Sequence, residues 1–384
     1  MEQSSLIYLD NAATTFPKPG SVANEVARSI VKYGGNAGRG SHSLAMEAAE
    51  KVYECRSLVS ELFEGEGPEA VFFTLNTTYA LNTVIKGLLR KGDHVIISDI
   101  EHNAVWRPVW KLAEEGIIEY DVFRSMTDDP RRTPTRICAG IARLVRPNTR
   151  LVICSHASNI CSVKMPLKEI GAFCRRHGIY FVVDGAQSAG HEIISMKDMC
   201  IDALCVPGHK GLYGIQGAGL AVLGENVRLE TLAEGGNGVN SLEGEMPLMS
   251  PERYEAGTLP MPAIAGLCEG IRWINKLGIK NISDHERALW SYTAKRLGEI
   301  EGITVYGGGY EGSVLLFSVD GKGSEECVRA LDRYGICLRG GYHCSALGHR
   351  TLGTPQGGAL RVSFGAFNRS SHVDALVDAL KNIL

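Results

Sequence analysis

Between residues 70 and 223 the chain alternates short apolar runs with amphipathic stretches, and this restricts the fold more than any other feature. Residues 70–75, 94–98, 117–123, 151–155, 179–184, 202–206 and 219–223 are apolar enough to predict seven strands. Residues 77–90, 103–115, 137–144 and 167–177 carry helical spacing between them. Strands that alternate with helices predict an α/β architecture, a mainly parallel seven-stranded sheet sandwiched by helices. Ahead of it lie an extended segment over 7–11, a short helix over about 20–32 and a longer one over 43–64. The long one shows an apolar stripe at Leu44, Ala48, Val52, Cys55, Leu58, Val59 and Leu62. A glycine-rich acidic stretch, 234–260, then interrupts the pattern. Helices over 263–276, 282–300, 327–334 and 372–384, with strands over 314–319, 336–339 and 359–363, predict a smaller α+β C-terminal domain. The expected division is an N-terminal arm (1–15), a large domain (16–258) and a small one (259–384).

Composition narrows the function classes. A formal net charge of −3 on 384 residues gives no electrostatic case for nucleic acid or membrane surfaces. The start, Met1-Glu2-Gln3-Ser4-Ser5, does not read as a signal peptide, and no apolar run approaches a membrane span. The eleven cysteines are odd in number, scattered, and without a C-x-x-C pair. Cys154 and Cys205 sit among apolar residues, as small core side chains do. That usage fits a reducing cytoplasm.

Polar residues cluster where the predicted strands end, and in open α/β sheets ligands bind at those ends. Asn76-Thr77-Thr78 opens a helix and could take a phosphate or simply cap the helix. His102, in Glu101-His102-Asn103, could stack on a ring, move a proton or act as a structural donor. Asn159 could bond a phenolic oxygen or a carboxylate, or serve a turn. Asp184, in Asp184-Gly185-Ala186-Gln187, is a counter-ion or a cap. Lys210 follows in Gly208-His209-Lys210-Gly211, where glycines would let backbone approach a ligand. A lysine for a covalent imine and an aspartate for a pyridinium nitrogen are what pyridoxal phosphate asks of a protein. Each residue has a bland alternative; their placement at successive strand ends favours the cofactor.

The stretches L-D-N-A-A, R-G-S-H, E-H-N, H-A-S-N, D-G-A-Q, G-H-K, E-A-G-T, R-G-G-Y-H-C and R-V-S-F extend the pattern from Tyr8 to Asn368. Together they resemble the class V aminotransferase superfamily of fold type I pyridoxal phosphate enzymes, and more closely its cysteine desulfurase and selenocysteine lyase branch. The resemblance implies that Lys210 carries the cofactor, His102 stacks on it, Asp184 pairs its nitrogen and Gln187 approaches its hydroxyl. Thr77, Thr78 and His209 would hold the phosphate, joined in a homodimer by Thr258 from the neighbouring subunit. Pro207 departs from the pattern, since it stands where the family has a serine or threonine hydroxyl on the phosphate. Losing one neutral hydrogen bond costs about 0.5–1.5 kcal/mol, so cofactor binding should survive.

The substrate end lies in the C-terminal domain. Arg361 sits in an apolar strand and needs an anion; the family places the substrate carboxylate on it, aided by Asn159. Cys344 differs from the other cysteines by lying in a polar, glycine-flanked loop beside His343 and near Arg339, surroundings that favour thiolate. The short, glycine-rich loop from Cys344 to Arg361 resembles the desulfurase type whose cysteine stays near the cofactor. His42, in R-G-S-H, matches a family active-site histidine. The implied reaction converts L-cysteine to L-alanine, leaving a persulfide on Cys344 for an acceptor protein. Rivals are L-selenocysteine cleavage, transamination, which has no use for Cys344, and a non-catalytic sulfur relay, against which the intact Lys210, Asp184, His102 and Arg361 argue. A zinc site from His343, Cys344 and His349 has suitable residue types but no compelling spacing.

Overall fold

The computed structural model describes residues 6–384 apart from 39, 128, 308, 310 and 311. A short opening strand, β1 (Ile7–Tyr8), lies apart from the central sheet. The sheet itself contains β2 (Val71–Thr74), β3 (Asp93–Ser98), β4 (Ile118–Phe123), β5 (Thr149–Ser155), β6 (Tyr180–Asp184), β7 (Ala203–Pro207) and β8 (Gly219–Leu223), as the alternation predicts. Its order is β2-β8-β7-β6-β5-β3-β4. From β7 to β4 every pairing is parallel, and β8 runs antiparallel to both neighbours. One edge of the sheet therefore carries the carboxyl ends of β2, β3, β5, β6 and β7.

Strand side chains alternate between faces, so a central strand needs apolar residues on both. Ile96, Val152, Phe181 and Val183 face one layer, and Val95, Ile97, Leu151, Ile153 and Val182 the other. The helices α1 (Gly20–Lys32), α2 (Ser43–Phe63), α3 (Thr77–Leu88), α4 (Asn103–Glu114), α5 (Pro134–Ala142), α6 (Leu167–His177) and α7 (Met261–Leu277) complete this unit. Leu81 and Val84 of α3 and Val105 of α4 cover the second layer. Val52 and Val59 of α2, Ile170 of α6 and Leu267 of α7 cover the first.

A second sheet combines β9 (Ile303–Tyr306), β10 (Val314–Val319), β12 (Arg339–Gly341) and β13 (Ala359–Ser363), all antiparallel. β11 (Ile336–Cys337) pairs instead with β1, in parallel. The helices α8 (Ile279–Gly298), α9 (Ser324–Asp332) and α11 (Ser370–Ile383) pack against the second sheet, burying Leu315, Phe317, Leu360, Val362 and Leu380. Leu9 joins this core, and Leu9 N–H donates to Cys337 O at 2.8 Å, which fastens the N-terminal segment here.

Three local readings change. β9 was not foreseen, because Ile303–Tyr306 is short, half-exposed and followed by glycines. The run 336–339 divides into β11 and β12, since β11 leaves the sheet for β1. The loop after Cys344 contains a two-turn helix, α10 (Ala346–Leu352), that its glycines and proline concealed. Ile96 is fully buried in the first layer; Ile96→Ala is expected to cost about 2–5 kcal/mol, measured as a lowered urea midpoint at unchanged slope.

Candidate active site

The Lys210 loop begins where β7 ends at Pro207 and is closed by Tyr213 N–H donating to Lys210 O at 2.8 Å. Tyr213 takes a left-handed φ of 56°. A Cβ at Gly211 would come within 2.2 Å of Ala189 O, and one at Gly190 within 2.0 Å of Gly211 O. Gly211 thus permits contact between two backbone segments of this chain; the expected approach to a ligand is not its use. Four donors from three residues converge on the carbonyl before Lys210: Thr14 Oγ1 (3.0 Å), Thr15 N and Oγ1 (both 3.2 Å) and Lys18 Nζ (2.7 Å) reach His209 O. Burial brings the Lys18 amine down to about 7. Sequence reasoning passed over Lys18; its signal was a cation between two prolines. Lys210 keeps a little surface at the cleft floor, yet burial lowers its amine to about 8 against the opposing pull of Asp184.

The other strand ends surround this amine. Asn76 caps α3, its Oδ1 accepting from Tyr79 N–H at 3.1 Å, and this leaves Thr77 free of the capping duty. Thr77 Oγ1 and His209 Nδ1 are buried and have no hydrogen-bond partner. Buried polar atoms are almost always paired. Two orphans lining one cleft beside a helix N-terminus fit an absent anionic group. Asp184 ends β6, with Oδ1 accepting from Ala186 N–H at 2.9 Å, and burial pushes its carboxyl up. Gln187 is oriented by Nε2 donating to Ala12 O at 3.0 Å.

His102 caps α4. Its Nδ1 accepts from Ala104 N–H at 3.0 Å, so the neutral ring carries its proton on Nε2. Burial, reinforced by the positive charge of Lys210, brings it down to about 3. Behind it Glu101 is wholly buried, accepting from Ser98 Oγ, Ser155 N (2.9 Å) and Ser155 Oγ (2.9 Å). Burial raises its carboxyl to about 8, and neighbouring Asp184 adds to the rise. The motif E-H-N held this residue, but a carboxylate next to a histidine offers no sequence signal of burial.

Cys344 stands beside the cleft. Of eleven free cysteines it is the exposed one, and Arg339 Nη2 lies 4.0 Å from its Sγ. Its carbonyl accepts from Asn103 N–H at 2.7 Å, and Asn159 Nδ2 donates to His343 O at 2.8 Å. Arg361, only 1% exposed, pairs through Nη2 with Asp10 (2.5 Å) and through Nη1 with Asn159 O (3.2 Å). Its Nε is buried without a partner. The ordinary salt bridge open to an apolar-strand arginine therefore exists, and one donor remains over.

Eight of the expected site residues line the cleft: Thr77, Thr78, His102, Asn159, Asp184, Gln187, His209 and Lys210. Cys344, Arg339 and Arg361 flank it through the contacts above. His42 and Thr258 do not join them. His42 is exposed and caps α2 through Nδ1, and Thr258 lines a separate cavity with Leu75 and Tyr79. Among the described residues no group of three His, Cys, Asp or Glu converges as a metal site.

A lysine at a strand end facing a buried aspartate, with unpaired polar atoms near a helix N-terminus on a fold type I framework, is the kind of arrangement that suits pyridoxal phosphate. The family model for aminotransferase class V matches residues 7–376, and the chain belongs to that family of pyridoxal phosphate-dependent enzymes. Its relatives include a probable cysteine desulfurase of Methanothermobacter thermautotrophicus, 33% identical over 98% of this chain and 94% of that one. A cysteine desulfurase of Salmonella choleraesuis is 32% identical over 98% and 93%. Among solved structures, the apo cysteine desulfurase of Thermococcus onnurineus superposes with a TM-score of 0.89 at 29% identity, covering 98% and 94%. A cysteine desulfurase (S-sulfonic acid) of Escherichia coli gives 0.85 at 25% identity, covering 99% and 95%.

A lysine must be neutral to form an imine, and burial brings the Lys210 amine down to about 8; if Lys210 carries the cofactor, its titration sets the rate of loading. Uptake of pyridoxal phosphate by cofactor-free protein, followed by visible absorbance, is expected to speed up about tenfold per pH unit below pH 8 and to level off above it. A rate that keeps climbing toward pH 10 would contradict the lowered amine.

Proposed function

We propose that the protein is a cysteine desulfurase that removes sulfur from L-cysteine, leaves L-alanine and holds the sulfur on Cys344 as a persulfide for an acceptor protein. The observation that carries this reading is the exposure of Cys344 alone among eleven thiols, next to a guanidinium at the rim of a cofactor cleft. A transaminase needs no such thiol. The relatives named above are desulfurases along nearly the whole chain, in keeping with the reading.

Thr77, Thr78 and His209 would hold the cofactor's phosphate, and Asp184 the charge on its ring nitrogen. When bound, pyridoxal phosphate supplies the electron sink that lets the Cα proton leave and the carbon–sulfur bond weaken. Arg361 Nε, the leftover buried donor, would take the substrate carboxylate, with Asn159 beside it. Arg339 would hold Cys344 Sγ in place at the rim. Lys210 Nζ would take the Cα proton and return one to complete alanine. His102 enters as a neutral ring, so it would stack and donate from Nε2. Cys344 Sγ would form the new sulfur–sulfur bond as the substrate's Cβ–S bond breaks, its electron pair going to Cβ.

The same machinery would serve L-selenocysteine, whose selenium leaves more readily. Exposed Leu75 and Tyr79 line a cavity with Thr258, exposed Tyr53 lines another with Gly257, and exposed Leu44 and Met46 follow His42 in the chain; we read these surfaces as covered by a second copy in a homodimer. Thr258 and His42 would then serve the neighbouring cleft. Eleven free thiols suit the cytoplasm.

Cys344→Ala is expected to lower alanine formation from cysteine by about a hundredfold or more, while selenocysteine turnover falls by less. Sulfide release from cysteine at the wild-type rate would overturn the persulfide step. Lys210→Ala should abolish turnover and the visible absorbance of bound cofactor; retained turnover would refute the central assignment.

A further inference from the structure

His343 and His349 lie behind Cys344, each 3% exposed, with no part in the chemistry above. Their rings stack at 5.4 Å between centroids and 12° between planes. His343 Nδ1 is 3.1 Å from His349 Nε2, His343 Nε2 is 3.2 Å from Arg339 O, and His349 Nδ1 is 2.8 Å from Thr354 Oγ1.

The direction of every bond follows from the first acceptor. A carbonyl can only accept, so His343 Nε2 carries a proton and donates to Arg339 O. Burial keeps both rings neutral at ordinary pH, bringing His343 down to about 2 and His349 to about 4. A neutral ring has one N–H, so His343 Nδ1 is bare and must accept from His349 Nε2–H. His349 Nδ1 is then bare in turn and accepts the hydroxyl proton of Thr354. The result is a one-way chain, Thr354 to His349 to His343 to the carbonyl of Arg339, with no frustrated donor along it.

Its endpoints give the chain a use. Arg339 holds the guanidinium nearest Cys344 Sγ, and His343 immediately precedes that cysteine. His343 and Cys344 both adopt left-handed backbone, φ 50° and 56°. For non-glycine residues such geometry costs about 1–3 kcal/mol each and persists only where surroundings enforce it. Asn103 N–H and Asn159 Nδ2 hold the two carbonyls from the cleft side, and the histidine chain holds the ring of His343 from behind.

We propose that the hydrogen-bonded chain Thr354–His349–His343 is the positioning device that fixes the strained Cys344 turn against Arg339. His349 is its central positioning residue, touching neither cofactor nor substrate. The role rests on Cys344 being the sulfur acceptor.

The test compares His349→Gln with His349→Leu in the holoenzyme. A glutamine Nε2 can stand where the histidine Nε2 stands and donate to His343, whereas leucine cannot. His349→Leu should lower kcat for persulfide formation about tenfold with KM for cysteine within about twofold, as expected for a misplaced nucleophile. Hydrogen–deuterium exchange over residues 340–354 should quicken by about tenfold or more. His349→Gln should recover most of both. Wild-type kcat and exchange in the leucine variant would overturn the device. So would equal losses in both variants at an unchanged Tm, since the donor would then be irrelevant. If His349→Leu does not fold, Thr354→Val exchanges the hydroxyl for a methyl at nearly constant shape and so removes the donor to His349 Nδ1. It should shift kcat and exchange in the same direction, and wild-type values for both would also overturn the proposal. Failure of the acceptor reading itself is separate, because Cys344→Ala would then keep turnover while exchange in the loop still reports on the histidine chain.

Discussion

A guanidinium cannot be stripped of water without an anion, and Arg361 is stripped of it almost completely. Its anion, Asp10, comes from the opposite end of the chain. The pair therefore ties residue 10 to residue 361 and closes nearly the whole chain around the cleft. The segment carrying Asp10 also supplies Ala12 O to Gln187 and the side chains of Thr14, Thr15 and Lys18 to the carbonyl of His209. Truncating one partner of a buried pair is worth far more than the pair itself, about 3–5 kcal/mol, because an uncompensated charge remains. The opening residues thus act as a strap whose tension lies in electrostatics, and the cleft's floor and substrate end are both tied to it.

Burial produces the reactivity on which the proposed chemistry depends. Lys210 would be an inert ammonium in water; protein around it brings the amine to about 8. The same desolvation turns His102 into a neutral ring and pushes up the Glu101 and Asp184 carboxyls. A cationic ring nitrogen placed at Asp184 would oppose that rise. Thr77 Oγ1 and His209 Nδ1, buried and unpaired, line the same cleft.

The large sheet was readable in the sequence because a strand apolar on both faces leaves an unbroken run, as 151–155 and 203–206 do, and because each run stops at a polar residue on the ligand edge. Lys210, Asp184 and Thr77 were legible for that reason. What stayed hidden was pairing at long range. Arg361 in an apolar strand announced a need for an anion, yet nothing local pointed to Asp10. Gly211 was legible as a close contact, but whether its neighbour is a ligand or the backbone of Ala189 depends on the third dimension. β9 and α10 were obscured because glycines that end or bend elements outnumber the few apolar residues that define them.

Cys344, the proposed nucleophile, sits on a short loop and is still held. A thiol proposed to reach substrate sulfur cannot be sealed in the core, where burial pushes Cys154 and Cys205 well above their usual range. Exposure ordinarily brings mobility, and mobility would scatter a nucleophile over several ångströms. Here the left-handed turn stores strain, and bonds from three directions confine it: α4 through Asn103, the β5 end through Asn159, and α10 through His349. The helix α10 matters because it carries buried His349 behind Cys344, converting a glycine-rich connection into a rigid backing. A thiol both open to solvent and fixed in place requires such a divided arrangement, with its sulfur on the surface and its support buried.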